Sequence, residues 1–357
     1  MTRLCFDMDC IIFDAVSVAE ERFITATHVP TNQVMEMENR TELWGHHSKK
    51  VGGWIETQNS MSGNDFYKVE DFVVTDGQRA RPFRIKGTEG QPDTFLTPSE
   101  GAKKIIDDKI ALIVNKLKAT SYFGFTGTGD VFRHHTATLL PYKGQRDDLI
   151  RPLLLDEMKK YVCDNHNCTL VTGIEADDAV SMATIAGYKA WKASENDEDI
   201  VIAIAVDKDA KQTEGWHFNH TKDHSPRLIE GLGKLWLTEK GDVDGCGRMW
   251  LYYQVAVGDT TDNYKSNCFS SVKYASKGGY NDLKDCTTDK EAFTALVAVF
   301  KKLYPEAKEV EGCKGPVKID WLYVMQEMFN MAFMLRRPDD KIDVKAVLTK
   351  LGIEHGN

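Results

Sequence analysis

Four groups of carboxylates are the residues most able to do chemistry, because most of them follow predicted β-strands. The groups are Asp7 with Asp9, Glu175 with Asp177 and Asp178, Asp207 with Asp209, and Asp259 with Asp262. Side chains just beyond the carboxyl ends of neighbouring parallel strands converge on one crevice. Carboxylates that meet there repel one another unless cations lie between them, and all-oxygen ligation suits Mg²⁺ or Mn²⁺ rather than zinc. Two such ions about 4 Å apart are the usual apparatus for phosphodiester hydrolysis.

Each acidic group taken alone has a simpler explanation. An isolated Asp-x-Asp is commonly a turn or a helix cap, and acids such as Asp177 and Asp178 at a helix N-terminus are favoured by the helix dipole. The joint placement of the groups at strand ends favours a metal site over this explanation.

Basic residues lie between the first and second acidic groups. Arg133 follows Phe132, and the segment Tyr142-Lys143-Gly144-Gln145-Arg146 comes next. Lys143 and Arg146 would share one face of a helical turn, where they could hold a scissile phosphate and stabilise its charge in the transition state. For this segment alone, a solvated basic helix end is the alternative.

The elements that must position these residues alternate between strands and helices. Predicted strands cover residues 4–6, 122–125, 169–171 and 200–206, and predicted helices cover about 147–162, 177–193, 289–303, 318–335 and 343–352. A further helix is expected after Thr97, which forms a capping-box pattern with Glu100 and precedes Pro98. The alternation predicts an α/β fold with a mostly parallel sheet flanked by helices.

The composition and hydrophobic pattern of the sequence change twice along the chain. Residues 28–98 are polar, Gly-rich and aromatic, which predicts a β-rich or irregular insertion, with Trp44, Trp54 and Phe66 in a satellite core. Beyond Gly258 the pattern is helical. We therefore expect a catalytic domain over 1–240 that contains the insertion, and a helical C-terminal domain over 241–357.

Composition limits the class of protein. A net charge of −9 argues against a nucleic-acid partner, unless many acids are concentrated in one metal site where bound cations invert the local field. No apolar run approaches the roughly 20 residues that cross a bilayer, and Asp7 interrupts any signal-like start. The sequence thus predicts a cytoplasmic protein with no membrane partner, whose eight cysteines are free thiols.

The order of these motifs resembles the flap endonuclease and 5′→3′ exonuclease family, which includes the exonuclease domains of bacterial DNA polymerase I. The motifs are Asp7-x-Asp9, Phe132-Arg133, Tyr142-Lys143-x-x-Arg146, Glu175-Ala176-Asp177-Asp178, Asp207-Lys208-Asp209 and Gly258-Asp259-x-x-Asp262-Asn263. The short connection from Arg146 to Thr169 is most similar to the exonucleases of small lytic phages. The match covers roughly 1–25 and 100–290, and the insertion lies outside it.

The resemblance implies a PIN-like fold and a two-metal 5′→3′ exonuclease with Mg²⁺ or Mn²⁺ as cofactor. A first ion would be held by Asp7, Glu175, Asp177 and Asp178 with Asp9 nearby, and a second by Asp207, Asp209, Asp259 and Asp262. Lys143 and Arg146 would steer the phosphate, with Arg133 and Tyr142 also at the nucleic acid. The implied partners are duplex DNA with 5′ ends, nicks or short flaps, RNA–DNA hybrids, and phage replication proteins in the host cytoplasm. The family's biology implies RNA primer removal and degradation of host DNA.

The sequence departs from the family pattern at two places. The family follows its last acidic motif with a Gly-x-Gly turn in a helical DNA-binding motif that often holds K⁺. Here the nearest equivalent is Ser276-Lys277-Gly278-Gly279, so Lys277, Gly278 and Gly279 are the candidate contacts to duplex phosphates. The segment after Tyr142-Lys143-x-x-Arg146 is too short for the long arch of larger members, which favours an exonuclease acting near duplex ends or nicks.

Two other functions remain open from the sequence. Phe6-Asp7-Met8-Asp9 resembles the first motif of haloacid dehalogenase-type phosphohydrolases, in which one Asp is a nucleophile, and Gly258-Asp259-x-x-Asp262 resembles their last motif. Ile11 and the Gly-Asp spacing depart from that pattern, which also leaves Glu175 and Lys143 unexplained. The second alternative is a non-catalytic nucleic-acid-binding protein, but unpaired carboxylates would repel a phosphate backbone.

Overall fold

A computed structural model describes residues 2–46, 52–88, 90–147 and 149–355 of the chain. The strands of these residues are β1 (Arg3–Asp7), β2 (Glu20–His28), β3 (Gln33–Met37), β4 (Phe72–Ala80), β5 (Phe83–Ile85), β6 (Thr94–Leu96), β7 (Ser121–Val131), β8 (Cys168–Gly173), β9 (Val201–Ile204), β10 (Gly215–Phe218), β11 (Arg227–Ile229), β12 (Lys234–Leu237), β13 (Val243–Cys246), β14 (Lys308–Gly312) and β15 (Gly315–Ile319).

The helices of the same residues are α1 (Met8–Val18), α2 (Arg40–Trp44), α3 (Trp54–Ser62), α4 (Pro98–Lys116), α5 (Phe132–Thr136), α6 (Leu155–Asn165), α7 (Ala176–Ser194), α8 (Gly247–Val257), α9 (Ser276–Leu283), α10 (Asp289–Leu303), α11 (Trp321–Ala332) and α12 (Val344–Leu351). None of these helices is long and apolar enough to cross a membrane. All eight cysteines are free thiols, as the sequence predicted.

Six strands form the central sheet in the order β11-β10-β9-β1-β7-β8. β1 pairs in parallel with both β7 and β9, β7 with β8, and β10 with β9, whereas only β11 is antiparallel to its neighbour. β1 and β9 are buried on both faces, as a central parallel strand requires. The predicted α/β class with a mostly parallel sheet is therefore confirmed.

The contacts divide the chain into two compact units. The first unit contains residues 1–10, 110–148 and 161–357, and the second contains 11–109 and 149–160. The predicted boundary near residue 240 falls inside the first unit, between the paired strands β12 and β13. The physical reason is a shared core: α8, α10 and α11 pack in one hydrophobic cluster with Val131, Leu139 and Tyr142, which precede that boundary.

The C-terminal elements of the first unit agree with the sequence in part. α10 covers the predicted span 289–303, and α12 lies within the predicted 343–352. The predicted helix 318–335 is α11 alone, since residues 315–319 pair with β14 in an antiparallel hairpin instead. Similarly, the helix predicted at about 147–162 begins only at Leu155, and Pro152 disfavours helical backbone at residue 151, within the part of the prediction that is not helical.

The second unit contains the predicted insertion, whose first strand begins at Glu20 rather than near residue 28. β2 pairs with β3 and β4 to form a three-stranded antiparallel sheet. Ile24, Ala26, Met37, Leu43, Ile55 and Phe72 are its buried core. The side chains of Trp44 and Trp54 pack against this core, as predicted, whereas Phe66 is about half exposed. Residues 47–51 and 89 of the insertion lie outside the described residues.

Candidate metal and phosphate site

The carboxylates of the first unit gather at one edge of the central sheet. Asp7 ends β1, Asp207 follows the adjacent β9, and Glu175 follows β8 as the N-cap of α7. The chain runs from β1 outward to β7 and β8, then returns to β9 on the other side of β1. This reversal of strand order opens a crevice beyond the carboxyl ends of the strands, which is the usual position of a binding site in such sheets.

The side chain of Asp7 is held by its own turn. Its exposed fraction is 8%, and its two oxygens accept hydrogen bonds from the Asp9 N–H at 3.1 Å and the Cys10 thiol at 3.0 Å. Asp9 is held from β7 instead, because the Thr126 hydroxyl and the Gly127 N–H (3.2 Å) donate to its carboxylate. Both acids predicted after β1 are thus fixed at the sheet edge.

The second group surrounds the start of α7. Ligand oxygens of Glu175, Asp177 and Asp178 lie within 4.8 Å of one another. Glu175 and Asp178 form a reciprocal capping box, so these two acids also have a structural role. Asp177 is different: its Oδ1 is shut off from solvent and has no hydrogen-bond partner among the described residues.

Of the remaining two groups, the one with Asp209 contacts α8 through Gln254, and the one with Asp259 follows α8 in the chain. The Asp209 N–H donates to Asp207 at 2.9 Å, and the Gln254 side-chain amide donates to the Asp209 carboxylate. In the turn after α8, Asp259 accepts from the Thr261 N–H at 2.6 Å and pairs with Lys208.

Asp262 lies at the far end of that turn and faces the predicted basic segment. Its carboxylate accepts from the Tyr142 hydroxyl at 3.1 Å and from Arg146 at 3.2 Å. Lys143 lies 3.7 Å away and also pairs with Glu175. The structure therefore brings together the acids and the basic pair that the sequence singled out.

Four carboxyl groups of the site are held in a state that resists ionisation. Burial, followed by the negative charge of Asp9, raises the pKa of Asp7 to about 7. Burial, with the charge of Asp207, raises the pKa of Asp209 to about 8. Burial also raises the pKa of Asp177 well above its usual value, where Glu175 and Asp178 add repulsion. The pKa of Asp262 is raised by burial, which outweighs the attraction of Lys143.

Two other carboxylates of the site are already neutralised by side-chain cations. Burial alone would raise the pKa of Glu175, but the charges of Arg133 and Lys143 lower it overall. In the same way, Lys208 overrides burial and lowers the pKa of Asp259. The site thus contains more carboxyl groups than it has lysines and arginines to pair with them.

The chemistry of the donor set fits divalent cations. A buried carboxylate oxygen without a partner, such as Oδ1 of Asp177, costs free energy unless a ligand completes it. The residues around it supply carboxylate oxygens, which Mg²⁺ and Mn²⁺ prefer. Bound cations would also remove the like-charge repulsion that raises these pKa values.

Lys143 and Arg146 lie in a tight turn that contacts the acids Glu175 and Asp262. Lys143 has a left-handed backbone (φ 54°) and is followed by a single 3-10 turn over Gly144–Arg146, rather than by the predicted helical turn. Both side chains nevertheless point to Asp262, and Lys143 also reaches Glu175. Their side chains are 21% and 44% exposed, so a phosphate at the crevice could contact them.

Arg133 is not available to nucleic acid, which corrects the sequence-based prediction. Its side chain is 1% exposed, and it forms a bidentate pair with Asp178 at 2.6 and 2.9 Å. It also donates to the carbonyl oxygens of Met331 and Phe333 at 3.1 and 2.7 Å, and to the carboxylate of Glu175 at 2.9 Å. The sequence could not show that residues 198 and 200 positions later would enclose this guanidinium.

The same pairing bears on Asp178, a predicted metal ligand whose carboxylate lies within 4.8 Å of ligand oxygens of Glu175 and Asp177, and its role at a metal stays a prediction. Asp178 is fully buried, and both of its oxygens are taken by Arg133 and by the N–H groups of Glu175 (3.2 Å) and Leu335 (3.0 Å). Tyr142, also predicted at the nucleic acid, is 3% exposed and uses its hydroxyl to orient Glu175 at 2.9 Å and Asp262. Tyr142 and Asp178 both hold other acids of the site in place from its buried side.

Lys277, Gly278 and Gly279 form the first turn of α9. A Cβ at Gly279 would lie 2.5 Å from a methyl carbon of Val257, so this glycine allows α9 to pack closely on α8. Gly278 is packed against the ring of Tyr274. The role of these residues in binding DNA stays a prediction.

Sequence reasoning missed two glutamines that support the acids. Gln254 donates to Asp209 and accepts from the Gln212 amide at 2.5 Å, and the exposed fractions of the two are 2% and 5%. Gln254 stands alone as a polar residue in the apolar run of α8, which was the available signal of a buried amide with a specific partner. Gln212 carried no such signal.

No protein-family model and no curated protein matches this chain. Its fold is similar to that of bacteriophage T5 flap endonuclease crystallised with metal ions, with 16% identity over 70% of this chain and 90% of that one, at a TM-score of 0.41. A complex of the T5 flap endonuclease with DNA and metal ions has 17% identity over 70% and 88%, at 0.40. A variant of T5 5′-exonuclease has 15% identity over 70% and 90%, at 0.37. At these identities and TM-scores the likeness assigns no activity, which must be argued from the side chains themselves.

Proposed function

We propose that this protein is a divalent-metal-dependent nuclease that hydrolyses phosphodiesters in the 5′→3′ direction, from 5′ ends or nicks of duplex DNA and RNA–DNA hybrids. The observation that carries the proposal is the buried, unpartnered Oδ1 of Asp177, which lies among crowded carboxylates beside Lys143. A folded protein gains no stability from such an arrangement on its own. Its presence at the crevice of a parallel sheet therefore favours a catalytic cation site.

Two sets of carboxylates would hold the ions. The first set is Asp7, Glu175 and Asp177, with Asp9 nearby, and the second is Asp207, Asp209, Asp259 and Asp262. When bound, divalent ions supply Lewis acidity to a phosphoryl group and offset the charge that develops on it. A K⁺ site near Lys277 remains a prediction from the family resemblance.

Side chains of this chain would orient the phosphate. Lys143 and Arg146 both pair with acids of the site while their side chains remain partly exposed. Arg offers two parallel donors to a phosphate and Lys a compact charge. Both would stabilise the transferring phosphoryl group, and Tyr142 would hold Glu175 and Asp262 in place beneath it.

The polarity and the biological setting of the reaction rest on the order of the sequence motifs. That order supports action at 5′ ends, removal of RNA primers and degradation of host DNA by a phage-encoded enzyme in the host cytoplasm, together with phage replication proteins. The single short helix α6, Leu155–Asn165, between the basic segment and β8 supports nicks and short flaps over long single-stranded flaps.

The two alternative functions fit the site less well. In a haloacid dehalogenase-type phosphohydrolase Asp7 would be a nucleophile, but Glu175, Asp177 and Lys143 would have no role. A non-catalytic nucleic-acid-binding protein would need this crevice to attract phosphate, whereas its uncompensated carboxylates repel phosphate.

The test is a cleavage assay on a 5′-labelled nicked duplex, with Mg²⁺ or with EDTA. The wild-type protein should release short 5′-phosphorylated products only with metal, and Asp177→Ala should release none. Asp108→Ala is the matched control, because Asp108 is an exposed acid of α4 that pairs with Lys104, one helical turn away. This control should cleave like the wild type.

A parallel reaction on p-nitrophenyl phosphate distinguishes the proposed nuclease from a haloacid dehalogenase-type phosphohydrolase. If the duplex stays intact while p-nitrophenyl phosphate is hydrolysed, Asp7 is a nucleophile and the proposed nuclease is wrong. If neither substrate is cleaved but the protein binds duplex DNA equally with Mg²⁺ and with EDTA, the non-catalytic alternative replaces it.

A further inference from the structure

A short stretch of backbone at the end of α11 is connected by hydrogen bonds to both halves of the acidic site. We call residues 331–335 the anchor segment. Its side chains are all apolar and buried, with exposed fractions of 5% or less (Met331, Ala332, Phe333, Met334 and Leu335). The polar connections of this segment therefore come from its backbone N–H and C=O groups.

The first connection runs through Arg133. This guanidinium donates to the carbonyl oxygens of Met331 and Phe333, and on its other side it holds Asp178 and, at 2.9 Å, Glu175. The Leu335 N–H closes the arrangement by donating to Asp178 at 3.0 Å. The start of α7 is thereby tied to the anchor segment.

The second connection runs through two buried amides. The Met334 N–H donates to Oε1 of Gln212 at 3.4 Å, and Nε2 of Gln212 donates to the Ala332 carbonyl oxygen at 2.9 Å and to Oε1 of Gln254 at 2.5 Å. Nε2 of Gln254 then donates to Asp209.

We call the chain of hydrogen bonds from the anchor segment through Gln212 and Gln254 to Asp209 the relay. The backbone groups of the anchor segment fix which atoms of the relay donate and which accept. Because the Met334 N–H can only donate and the Ala332 C=O can only accept, the Gln212 amide has one satisfied orientation. Gln212 in turn orients Gln254, whose NH₂ group must face Asp209. The relay therefore presents a donor to Asp209 and requires an acceptor oxygen there.

We propose that the anchor segment, acting through Gln212 and Gln254, holds Asp209 at a fixed position relative to the acids at the start of α7, and so positions it for cation binding. This inference rests on the proposed function, because it assigns Gln212 and Gln254 as positioning residues of the same metal site. Groups that orient metal ligands without touching the metal commonly contribute about 10–100-fold to metal affinity.

The test measures binding of Mn²⁺ to the full chain by electron paramagnetic resonance of the free ion, without any substrate. Gln254→Met should weaken one of two binding events by about 10–100-fold and leave the other unchanged. Gln212→Met, which does not touch Asp209, should weaken the same event. The double variant should be no weaker than Gln254→Met, because both residues belong to one relay.

The matched control is Gln326→Met. Gln326 is also an amide of the C-terminal region, donating to the Ile342 carbonyl oxygen at 2.8 Å and accepting from the Val344 N–H at 2.9 Å, but these bonds lead to no acid of the site. It should bind Mn²⁺ like the wild type even where its melting temperature falls. Arg133 is left intact, because its removal would strand the buried charge of Asp178.

Two results would overturn the inference. Unchanged Mn²⁺ binding in Gln212→Met and Gln254→Met, or an equal loss in Gln326→Met, would show that the relay is only part of the general packing. In those cases the proposed nuclease would stand. A wild-type protein that binds no Mn²⁺ would instead overturn the proposed function together with the inference.

Discussion

The two units of the molecule treat their acidic residues in opposite ways. In the insertion sheet of the second unit, surface carboxylates are matched by arginines: Asp76 pairs with Arg40, and Glu21 pairs with Arg79 at 3.1 Å. Hydrogen bonds from these arginines lower the pKa values of both acids. Each of these carboxylates has an arginine partner, and Arg79 also pairs with Glu36 at 2.8 Å.

At the sheet edge of the first unit the balance fails. Asp7, Asp177 and Asp209 have raised pKa values, because burial and neighbouring acids outweigh the few cations nearby. The acidic net charge of the whole chain therefore does not indicate where the protein can bind cations. Carboxylates that pair with arginines at an exposed surface contribute to the fold, whereas crowded carboxylates in a crevice with fewer cations are suited to binding metal ions.

The largest effect is expected for Asp177→Asn. Removing one unmatched carboxylate should lower nuclease activity by more than about 100-fold, because a direct ligand matters more than the groups that orient it. Without metal, the melting temperature should hold or rise, because the variant removes a carboxyl group whose charged form is disfavoured by burial and by neighbouring acids. Activity assays and thermal melts in EDTA measure both. A variant that loses stability without metal would show that Asp177 is a structural acid like Asp178.

Lys143→Met tests the phosphate contact, and its effect should be smaller. We expect kcat to fall by about 100-fold, as for other single groups that stabilise transition-state charge, with a lesser change in KM. Mn²⁺ binding should persist or tighten, because Glu175 loses a competing cation. Lys143→Arg should recover part of kcat. Loss of Mn²⁺ binding in Lys143→Met would place this lysine in the metal site's structure instead.

The stability of the protein without metal should fall as pH rises. The folded pKa values of about 7 for Asp7 and about 8 for Asp209 exceed the ordinary value of about 3.9, so the folded state binds protons that the unfolded chain releases. The stabilisation is complete below about pH 4 and is lost as pH rises through about 7–8.

Mg²⁺ should reverse this trend, because it binds the ionised carboxylates. At a hundredfold excess over Kd the gain is about 2.7 kcal/mol. At one fixed Mg²⁺ concentration the gain should be larger at pH 8 than at pH 6, because Kd is lower where the carboxyl groups are ionised. Thermal melts at both pH values, with Mg²⁺ or EDTA, measure the difference. An equal gain at the two pH values would mean that Mg²⁺ binds elsewhere than at these acids.

The smallest effect is expected for Asp76→Asn in the insertion sheet. Asp76 and Arg40 are each about 40% exposed, so their ion pair contributes only about 0.2–1 kcal/mol after solvent screening. Nuclease activity and Mn²⁺ binding should be unchanged. A large loss of activity would show that the two units do not differ in the way described.

Much of the acidic site was predictable from the sequence, because short-range rules place it. β1 and β9 are apolar strands followed by acids, and the Glu175–Asp178 start of α7 is a helix-cap pattern. The buried roles of Arg133, Asp178 and Gln212 were not predictable. They depend on the anchor segment, which lies more than 100 residues away in the sequence and offers only backbone atoms.

The most direct measurement of the central claim is anomalous diffraction from crystals soaked in Mn²⁺. We expect two peaks at the carboxyl edge of the central sheet, one contacting Asp7, Glu175 and Asp177, and one among Asp207, Asp209, Asp259 and Asp262. Soaking the Asp177→Asn crystals should abolish or weaken the first peak. The absence of any peak at this edge, with Mn²⁺ bound elsewhere, would contradict the account.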